Sequence, residues 1–455
     1  MDLNLLAKYS KPGPRYTSYP PAPHFSDTFG PAYWQDELIQ SQESTRPISL
    51  YVHIPFCDTL CYYCGCNMVA TGNYAKADQY LVYLMAEIDR VAALAYSSRN
   101  VVQMHWGGGT PTYLHPQDIR RLAAHIRKRF HFAPDAEVAV EVDPRGLTRE
   151  HVIALRESGF NRASIGVQDL DETVQKSVNR VQPLSLVEEV YGWFRKEGFA
   201  SINLDLMTGL PHQTLDTYRH TLAEISRINP DRLAVFGYAH VPWMKKHQKL
   251  ILESDLPDFE TRMAMQELIL HTLEEKGYVH IGMDHFAKPD DSIVQAQRNK
   301  TLWRNFQGYT THRHADIYAF GASAISQTET VYAQNEKRLV AYQKKIDQGD
   351  LATEKGYRLS RDDRIRRDVI TELMCDLELE KEKIARRWNI DFETYFADSL
   401  QFLDPLEKDG LVTLSANLIQ VTNLGRLFLR NIAMCFDAYL HSKGAQEQPR
   451  YSKTA

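Results

Sequence analysis

The fold of this chain is decided by one stretch, Ile48-Ser-Leu-Tyr-Val-His-Ile-Pro55, which leads into Cys57-Asp-Thr-Leu-Cys61-Tyr-Tyr-Cys64-Gly-Cys66. The first part is an apolar run and predicts a buried strand. Four of the six cysteines of the protein follow in one short loop, just past the end of that strand. In sheets with helical crossovers the carboxyl ends of the strands carry the chemistry, so clustered cysteines at such an end indicate a metal site.

Three interpretations of the clustered cysteines are open on the residues alone. Cys57, Cys61 and Cys64 are spaced like one face of a helix and could serve as core packing, although a preceding proline and an internal glycine interrupt such a helix. With Cys66 as a fourth ligand they could hold zinc, although zinc sites usually pair two separated knuckles. Three thiolates could instead hold an iron–sulfur cluster in which one iron has no protein ligand.

Length and composition predict a folded protein of more than one domain. The chain has 455 residues, of which 43% are hydrophobic and 24% charged, as in globular proteins. A net charge of −5 is small for this length and argues against a dedicated nucleic-acid binder. No apolar run reaches the ~18 residues of a membrane span, and the N-terminus shows no signal peptide. We therefore predict a cytoplasmic protein with reduced cysteines, no nucleic-acid partner and no membrane span.

Strand-like runs alternate with amphipathic helical patterns between residues 48 and 243. Six β–α units of this kind predict a parallel sheet, and polar or glycine residues after each strand favour an open barrel with its mouth at the strand carboxyl ends. The strand-like runs are 48–55, 101–106, 137–143, 162–167, 202–207 and 232–236, and the helical patterns include 74–95, 116–130, 184–198 and 214–227.

The rest of the chain predicts four further parts. Residues 1–47 combine prolines with tyrosines and predict an ordered, extended arm that lies on the main domain. Residues 244–360 predict an extension and connection, with a helix at 257–276 and a strand at 277–286. Residues 361–443 predict a mainly helical domain that resembles a winged helix, and 444–455 a flexible tail. The helical patterns of that domain are 361–376, 380–388, 391–406 and 422–443, with a hairpin at 410–422.

Candidate ligand groups follow the predicted strands. The glycine run 107–109, before Thr110, lets the backbone approach a ligand and could offer free N–H groups to it. Strand alternation puts Glu141 and Asp143 on one side. Asp205, flanked by leucines, must be paired or face a polar cavity. Two more candidates are Gln168 and Arg180. His240 could be a proton donor or a structural histidine, and the structural role is favoured. Cys375 and Cys435 are interpreted as core packing.

The C-x3-C-x2-C spacing after a first strand, with Tyr63 before the third cysteine, resembles the radical S-adenosylmethionine (radical SAM) enzymes. This resemblance implies that Cys57, Cys61 and Cys64 bind a [4Fe–4S] cluster whose open iron is chelated by SAM. It also implies the α/β class, with a partial (β/α)6 TIM-like barrel, an N-terminal arm and a mainly helical C-terminal domain. Radical chemistry of this kind belongs to the cofactors, which the protein holds and screens.

Further motifs narrow the resemblance to the radical SAM family that acts on coproporphyrinogen III. They are the arm Pro14-Arg-Tyr-Thr-Ser-Tyr-Pro20 and the runs CDTLCYYCGCN, HWGGGTPTYL, EVDPR, GVQD, GMDHFA and NFQGYTT. This family implies oxidative decarboxylation of two propionate side chains to vinyl groups by 5′-deoxyadenosyl radicals, giving protoporphyrinogen IX in heme biosynthesis. The alternative is a heme-binding chaperone on the same barrel, but the arm and Cys66 favour the enzyme that decarboxylates coproporphyrinogen III.

The same resemblance implies cofactors, contacts and partners. It implies two SAM molecules per chain, Cys66 as a catalytic residue, a protein reductant such as a flavodoxin, and a monomer. Gly237 departs from the family, in which asparagine is often found. A substrate with four carboxylates also needs cations, and the candidates by location are Arg15, Arg298, Arg304 and Arg313. The implied SAM contacts are Tyr51, Tyr63, Gly108, Gly109, Thr110, Glu141, Gln168, Arg180, Asp205, Ala239 and Ile325.

Overall fold

The computed structural model describes residues 3–95, 98–441 and 451, and in it the chain divides into two compact units. Unit 1 comprises Met1–Phe25, Gly277–Arg313 and Arg358–Ala455, and unit 2 comprises Ser26–Lys276 and His314–Tyr357. The flexible tail predicted at 444–455 lies outside the described residues, apart from Tyr451. No helix in the described part of the chain is long and apolar enough to cross a membrane.

Helices and strands both occur in each of the two units. The helices are α1 (Leu3–Tyr9), α2 (Pro31–Gln40), α3 (Ala75–Leu94), α4 (Pro116–Arg129), α5 (Arg149–Glu157), α6 (Glu172–Ser177), α7 (Leu184–Lys196), α8 (Leu215–Ile228), α9 (Phe259–Glu275), α10 (Ser292–Arg298), α11 (Leu339–Asp347), α12 (Arg361–Asp376), α13 (Lys381–Trp388), α14 (Phe392–Tyr395), α15 (Ala397–Lys408), α16 (Leu429–Met434) and α17 (Ala438–His441). The strands are β1 (Ile48–Ile54), β2 (Phe56–Cys57), β3 (Val69–Ala70), β4 (Val101–Gly108), β5 (Phe132–Val142), β6 (Arg162–Gln168), β7 (Ser201–Thr208), β8 (Arg232–Gly237), β9 (Val279–Gly282), β10 (His285–Ala287), β11 (Trp303–Asn305), β12 (Gly308–Thr310), β13 (Asp316–Phe320), β14 (Ile325–Gln327), β15 (Val331–Asn335), β16 (Thr353–Arg358), β17 (Glu378–Glu380), β18 (Val412–Leu414) and β19 (Leu418–Val421).

Unit 2 is built on a twisted sheet with the order β16-β15-β14-β13-β1-β4-β5-β6-β7-β8. Six strands of this sheet pair in parallel and are separated along the chain by helices, which confirms the predicted α/β class and the six β–α units; they are β1, β4, β5, β6, β7 and β8. Beyond the prediction, β13 also pairs in parallel with β1, with Tyr51 opposite Ala319, and β14 and β15 continue the sheet in antiparallel fashion. The loops that follow these six parallel strands therefore lie at one edge of the sheet, at the strand carboxyl ends.

Burial explains why these strands could be recognised. Six of the seven residues of β1 are buried, and Trp106 on β4 is fully buried. Strands that are covered on both faces read as near-continuous apolar runs, which is the pattern from which they were predicted. Fully burying one such aliphatic side chain contributes about 1.5–3 kcal/mol to the free energy of unfolding.

Unit 1 contains helices, the three-stranded sheet β17-β19-β18 and the hairpins β9/β10 and β11/β12. The predicted single strand at 277–286 is wrong, because Met283 adopts a left-handed φ of 52° and turns the chain back between β9 and β10. The predicted helices 391–406 and 422–443 are each interrupted, and the arm is not extended throughout, since Leu3–Tyr9 is helical. Cys375 packs in a buried aliphatic cluster, and Cys435 is also buried, as predicted.

Candidate active site

The cysteine loop of unit 2 is closed at its base by two short paired strands. Immediately after β1, the strand β2 pairs with β3, so that Cys57 lies opposite Ala70. The Thr71 N–H donates to the carbonyl of Cys57 at 2.9 Å, and the Val69 N–H donates to that of Pro55 at 2.7 Å. These bonds hold the intervening loop, which carries Cys61, Cys64 and Cys66, at the carboxyl end of β1.

Each of the three cysteines predicted as ligands is free, and each sulfur has a polar neighbour. The sulfur of Cys61 accepts hydrogen bonds from the guanidiniums of Arg145 at 3.3 Å and Arg180 at 3.5 Å. The sulfur of Cys57 lies 3.3 Å from Thr110 Oγ1, and that of Cys64 accepts the Cys66 N–H at 3.4 Å. Hydrogen bonds of this kind stabilise thiolates and are a feature of sulfur atoms that bind iron.

Cys61 lies beside a network of partly buried charges. Asp143 Oδ2 accepts from Arg145 Nη2 at 2.7 Å and from Arg180 Nη1 at 2.9 Å. Burial alone would raise the pKa of Asp143, but these two guanidiniums hold the pKa below its ordinary value. Because one carboxylate serves two guanidiniums, the network has a surplus of positive charge beside the sulfur of Cys61. That surplus suits an anionic, thiolate-bound group.

The titration of the thiols differs from site to site. Burial raises the pKa of Cys57 to about 12. A hydrogen bond from the Cys66 thiol, opposed by burial, lowers the pKa of Cys64 to about 6, and the same bond raises that of Cys66. Cys66 is exposed, unlike the buried Cys61. The structure therefore separates Cys66 from the three predicted ligands in environment, while it keeps Cys66 within hydrogen-bond distance of Cys64.

A segment after β8 braces the cysteine loop from the other side. His247 Nε2 lies 2.7 Å from the carbonyl oxygen of Cys64, and Gln248 Nε2 donates to that of Tyr63 at 2.9 Å. Lys245 Nζ donates to the carbonyl of Cys66 at 2.9 Å. Sequence reasoning missed this segment and also Arg145, since a brace that lies up to 185 positions away in the chain leaves no local signal.

The glycine run at the end of β4 approaches its neighbours closely. A Cβ on Gly107 would lie 2.8 Å from the Glu141 carboxylate, and one on Gly109 would lie 2.8 Å from the carbonyl of Pro55. The prediction of free N–H groups is wrong, because the N–H of Gly108 donates to Glu141 at 3.1 Å and those of Gly109 and Thr110 donate to carbonyls of the preceding strands. The missing side chains of the run therefore make room for the protein's own neighbours, which are the Glu141 carboxylate, His53 and the backbone of Pro55.

Glu141 is held in ionised form by its surroundings. Its Oε1 lies 3.0 Å from His105 Nε2, and its side chain is 44% exposed. Burial acts to raise the pKa of Glu141, but the hydrogen bond and charge of His105, together with the Gly108 N–H, lower it. Tyr51 stacks on His105 with ring centroids 6.0 Å apart, and its hydroxyl lies 3.1 Å from His53 Nδ1. An accessible carboxylate beside aromatic rings can accept hydrogen bonds from an ammonium or from ribose hydroxyls.

The other predicted contacts lie on several elements of unit 2. Asp205 on β7 is paired, as predicted, since it accepts from Ser164 at 2.8 Å and from Asn203 at 2.7 Å, and burial raises its pKa to about 6. Tyr63 packs against the apolar cluster around Val178, and Arg180 Nη2 donates to the Gly166 carbonyl at 2.6 Å. The remaining residues are Gln168 at the end of β6 with a φ of 68°, the exposed Ala239 after β8, and the half-buried Ile325 on β14.

Gly237 and His240 lie at and just after the end of β8. A Cβ on Gly237 would meet nothing within 4 Å, so the backbone there has room for a Cβ. His240 Nδ1 lies 2.8 Å from the Tyr238 hydroxyl. Among the residues that the structure describes, no three His, Cys, Asp or Glu side chains converge closely enough to hold a single metal ion.

Comparison with known proteins extends over nearly the whole chain. Residues 51–225 match the Radical SAM superfamily, and residues 359–428 match the HemN C-terminal domain. Oxygen-independent coproporphyrinogen III oxidase from Escherichia coli (strain K12) is 47% identical over 447 residues, which cover 98% of this chain and 97% of that protein. The enzyme of the same name from Helicobacter pylori (strain J99) is 40% identical and covers 100% and 99%. The solved structure of coproporphyrinogen III oxidase (HemN) from Escherichia coli, a radical SAM enzyme, superposes with a TM-score of 0.92 at 46% identity and covers 96% of this chain and 99% of that chain.

Proposed function

Because this chain belongs to the family of oxygen-independent coproporphyrinogen III oxidases, which are radical SAM enzymes, we propose that it acts on coproporphyrinogen III. The proposed reaction converts two propionate side chains to vinyl groups with loss of CO2 and gives protoporphyrinogen IX in heme biosynthesis. The protein is an oxidoreductase. The relatives match the arm as well as the barrel, so a heme-binding chaperone is not favoured.

The observation that carries this proposal is the set of three free cysteines whose sulfurs all have polar neighbours at the end of β1. We assign Cys57, Cys61 and Cys64 as ligands of a [4Fe–4S] cluster, because soft thiolates with hydrogen-bonded sulfurs suit iron–sulfur clusters. When bound, the cluster and SAM would supply the 5′-deoxyadenosyl radical chemistry that removes a hydrogen atom from a propionate β-carbon. Arg145 and Arg180 would stabilise the thiolate of Cys61.

The residues around the glycine run are proposed to hold SAM. Glu141 keeps an ionised carboxylate that can accept hydrogen bonds from the amino group of SAM, and Gly108 and Gly109 are proposed as neighbouring contacts. Tyr51 and Tyr63 would cover it and exclude water, on which radical chemistry depends. Two SAM molecules per chain are proposed from the family, with the remaining contacts at Thr110, Gln168, Arg180, Asp205, Ala239 and Ile325, and Cys66 is proposed as a catalytic residue.

The chain's own task at the abstraction step is positioning. Removal of a hydrogen atom needs no base, so the protein must fix the propionate against the attacking carbon, and such orientation supplies several kcal/mol of the barrier reduction. In total, each propionate gives one hydrogen atom to the SAM-derived radical, one CO2, and one electron to an electron acceptor outside this chain. We also propose that a flavodoxin-like protein delivers the reducing electron, and that the enzyme is a monomer in the cytoplasm.

The test is anaerobic reconstitution with iron and sulfide, followed by incubation with dithionite, SAM and coproporphyrinogen III. The proposal predicts about four irons per chain, together with 5′-deoxyadenosine and a vinyl porphyrinogen as products. Cluster assembly and SAM cleavage without vinyl product would refute the substrate but retain a radical enzyme. Zinc without iron would refute the cluster and restore the zinc site with Cys66 as fourth ligand.

A further inference from the structure

Three arginines from distant parts of the chain meet in unit 1. They are Arg15 in the arm, Arg304 on β11 and Arg430 on α16. Arg304 Nε donates to the carbonyl oxygen of Arg15 at 3.4 Å, and Arg430 Nε donates to that of Pro14 at 3.1 Å. Arg430 Nη2 also donates to the carbonyl of Gly13. The guanidiniums of Arg304 and Arg430 therefore hold the backbone of the arm at residues 13–15, where Arg15 supplies the third guanidinium.

The positive charges at this site repel one another. Arg15 pairs with Asp284. Burial, followed by the charges of Arg304 and Arg430, nevertheless lowers the pKa of Arg15 to about 9. Burial and the charge of Arg304 likewise lower the pKa of Arg430 to about 10, although Tyr16 opposes them. Guanidiniums that lower the pKa of Arg15 and Arg430 in this way create a potential that attracts an anion.

One guanidinium has an unused donor. Arg304 is 6% exposed, and its Nη1 meets no hydrogen-bond partner among the described residues. The guanidinium also lies over the ring of Tyr309, 4.8 Å from the centroid. Stacking on an aromatic ring and carboxylate recognition both use the planar fork of arginine. Burying an unpartnered charged donor is costly, so an acceptor at Nη1 would complete the site.

The other arginines predicted as substrate cations have different surroundings. Arg313 pairs with Glu372 at 3.2 Å, and its Nη1 donates to the carbonyl of Lys300 at 3.1 Å. Arg298 is exposed, with its Nη1 3.4 Å from the carbonyl of Pro289. Arg15 keeps 37% of its side chain accessible, whereas Arg304 is buried, so the trio combines an accessible cation with a buried donor.

We infer that Arg15, Arg304 and Arg430 form a carboxylate-binding site and that the carboxylate is a propionate side chain of the porphyrinogen. The inference rests on the proposed function for its substrate. Arginine binds carboxylates through parallel N–H donors with a defined geometry, so the site would fix the orientation of the macrocycle as well as contribute affinity. The amino-acid end of SAM carries the same chemical group, and the experiment separates the two sources.

The experiment compares Arg304→Gln with wild type by fluorescence titration of coproporphyrin III, the oxygen-stable oxidised form of the substrate, and of its tetramethyl ester. SAM affinity is measured on the anaerobically reconstituted holoenzyme by calorimetry. We expect Arg304→Gln to weaken coproporphyrin III binding at least about tenfold, the factor that 1.4 kcal/mol represents. Binding of the ester and of SAM should not change.

Matched variants control for charge and for folding. Arg304→Lys keeps the charge without the fork and should have intermediate affinity. Arg386→Gln removes an arginine of unit 1 that is 73% exposed and should have no effect. If Arg304→Gln does not fold, as judged by circular dichroism, Arg15→Gln replaces it, since the accessible side chain of Arg15 tolerates the change better; the same ligand pattern is expected.

The outcomes decide between the inference and its premise. Equal weakening of the acid and the ester would assign Arg304 to packing and overturn the inference. Weaker binding of SAM alone would mean that the site binds the carboxylate of SAM, and it would overturn the assignment to a propionate. If all affinities are unchanged in an enzyme that still converts coproporphyrinogen III, the carboxylate-binding site is refuted and the proposed function is retained. If wild type neither binds coproporphyrin III nor forms vinyl product, the proposed function fails.

Discussion

At the scale of single residues, the sulfur of Cys61 is the point where protein charge meets the proposed cluster. Two guanidiniums donate to it, and they stabilise the form with the most negative charge. We expect Arg145→Gln to make the reduction potential of the reconstituted cluster more negative by about 50 mV, where 59 mV corresponds to a tenfold change for one electron. A redox titration followed by electron paramagnetic resonance would measure it.

The matched control for that prediction is Arg149→Gln. Arg149 is 52% exposed and pairs with Glu197 at 3.4 Å, so its removal should leave the potential unchanged. An unchanged potential in Arg145→Gln, with iron content intact, would contradict the assignment of Arg145 as a donor to a cluster ligand.

Glu87 on α3 is a buried carboxylate whose ionisation should change protein stability. It is 2% exposed and accepts from the Gly321 N–H at 2.8 Å, and from Asn335 and Tyr342 at 2.6 Å each. These bonds fix the turn that leads to Ile325 on β14. Burial raises the pKa of Glu87 to about 7, although the three bonds oppose it. A raised pKa means that the folded state binds the proton more tightly than the unfolded state does.

The pH dependence of the free energy of unfolding follows from this raised pKa. The contribution of Glu87 to the free energy of unfolding is complete below about pH 4.5, falls as the pH rises to about 7, and amounts to roughly 3 kcal/mol at 1.36 kcal/mol per pKa unit. Glu87→Gln lacks this titration, so the thermal midpoint of wild type relative to the variant should fall by several degrees between pH 4.5 and 8. The exposed Glu189→Gln should show no such trend. A pH-independent difference for Glu87→Gln would refute the prediction.

At the scale of elements, the glycine run of β4 permits a direct test of the site. A methyl group on Gly107 would meet the flexible end of Glu141, whereas one on Gly109 would meet the backbone of Pro55. We expect Gly107→Ala to weaken SAM binding with little loss of stability. Gly109→Ala should instead destabilise the protein by about 1–3 kcal/mol. Titration calorimetry and thermal unfolding would separate the two effects.

Gly192 on α7 provides the control for both alanine variants. A Cβ there would meet nothing within 4 Å, and alanine in a helix interior stabilises by about 0.5–1 kcal/mol. Unchanged SAM affinity in Gly107→Ala would argue that Glu141 does not contact the ligand.

The same elements show which features of the fold a sequence can predict. β1, β4 and β7 were recognised because each is rich in apolar residues that are buried in a parallel sheet. The run of β13 is equally buried, but no β–α rhythm indicates that it pairs with β1, since residue 48 lies opposite residue 316. The turn at Met283 and the break at Phe396 were missed because one residue's backbone angle decides each.

The candidate site divides in the same way. The cysteine spacing and the glycine run are local patterns, and both could be recognised directly. The guanidinium of Arg145 reaches Cys61 across 84 positions, and His247 reaches Cys64 across 183, so only the folded chain brings them together. Even the local pattern misled at Gly108 and Gly109, because neighbours in the fold, the Glu141 carboxylate and the carbonyl of Ile54, accept from these two N–H groups.

At the scale of the whole molecule, unit 1 is discontinuous along the chain. It takes the first part of the arm, residues 1–25, and most of its helices come from the last hundred residues. The Tyr16 hydroxyl donates to Asp437 at 2.9 Å, the Ala438 N–H donates to the Tyr19 hydroxyl at 3.0 Å, and Asn431 donates to the carbonyl of Tyr9 at 2.9 Å. Those three tyrosines are at least nine-tenths buried. The arm is therefore part of the core of unit 1, and it also supplies Arg15.

Deleting residues 1–25 should consequently separate SAM cleavage, which should persist, from conversion of the substrate, which should be lost. Burial of each large apolar side chain contributes about 1.5–3 kcal/mol, so unit 1 loses several kcal/mol together with Arg15. The predicted cluster ligands lie in unit 2. We expect iron content and 5′-deoxyadenosine formation with dithionite to persist, while coproporphyrin III binding and vinyl product disappear. Tyr16→Phe, which removes only the bond to Asp437, should lower the thermal midpoint but keep the product. Loss of iron on deletion would mean that unit 2 requires the arm, and retained product would exclude the arm from substrate binding.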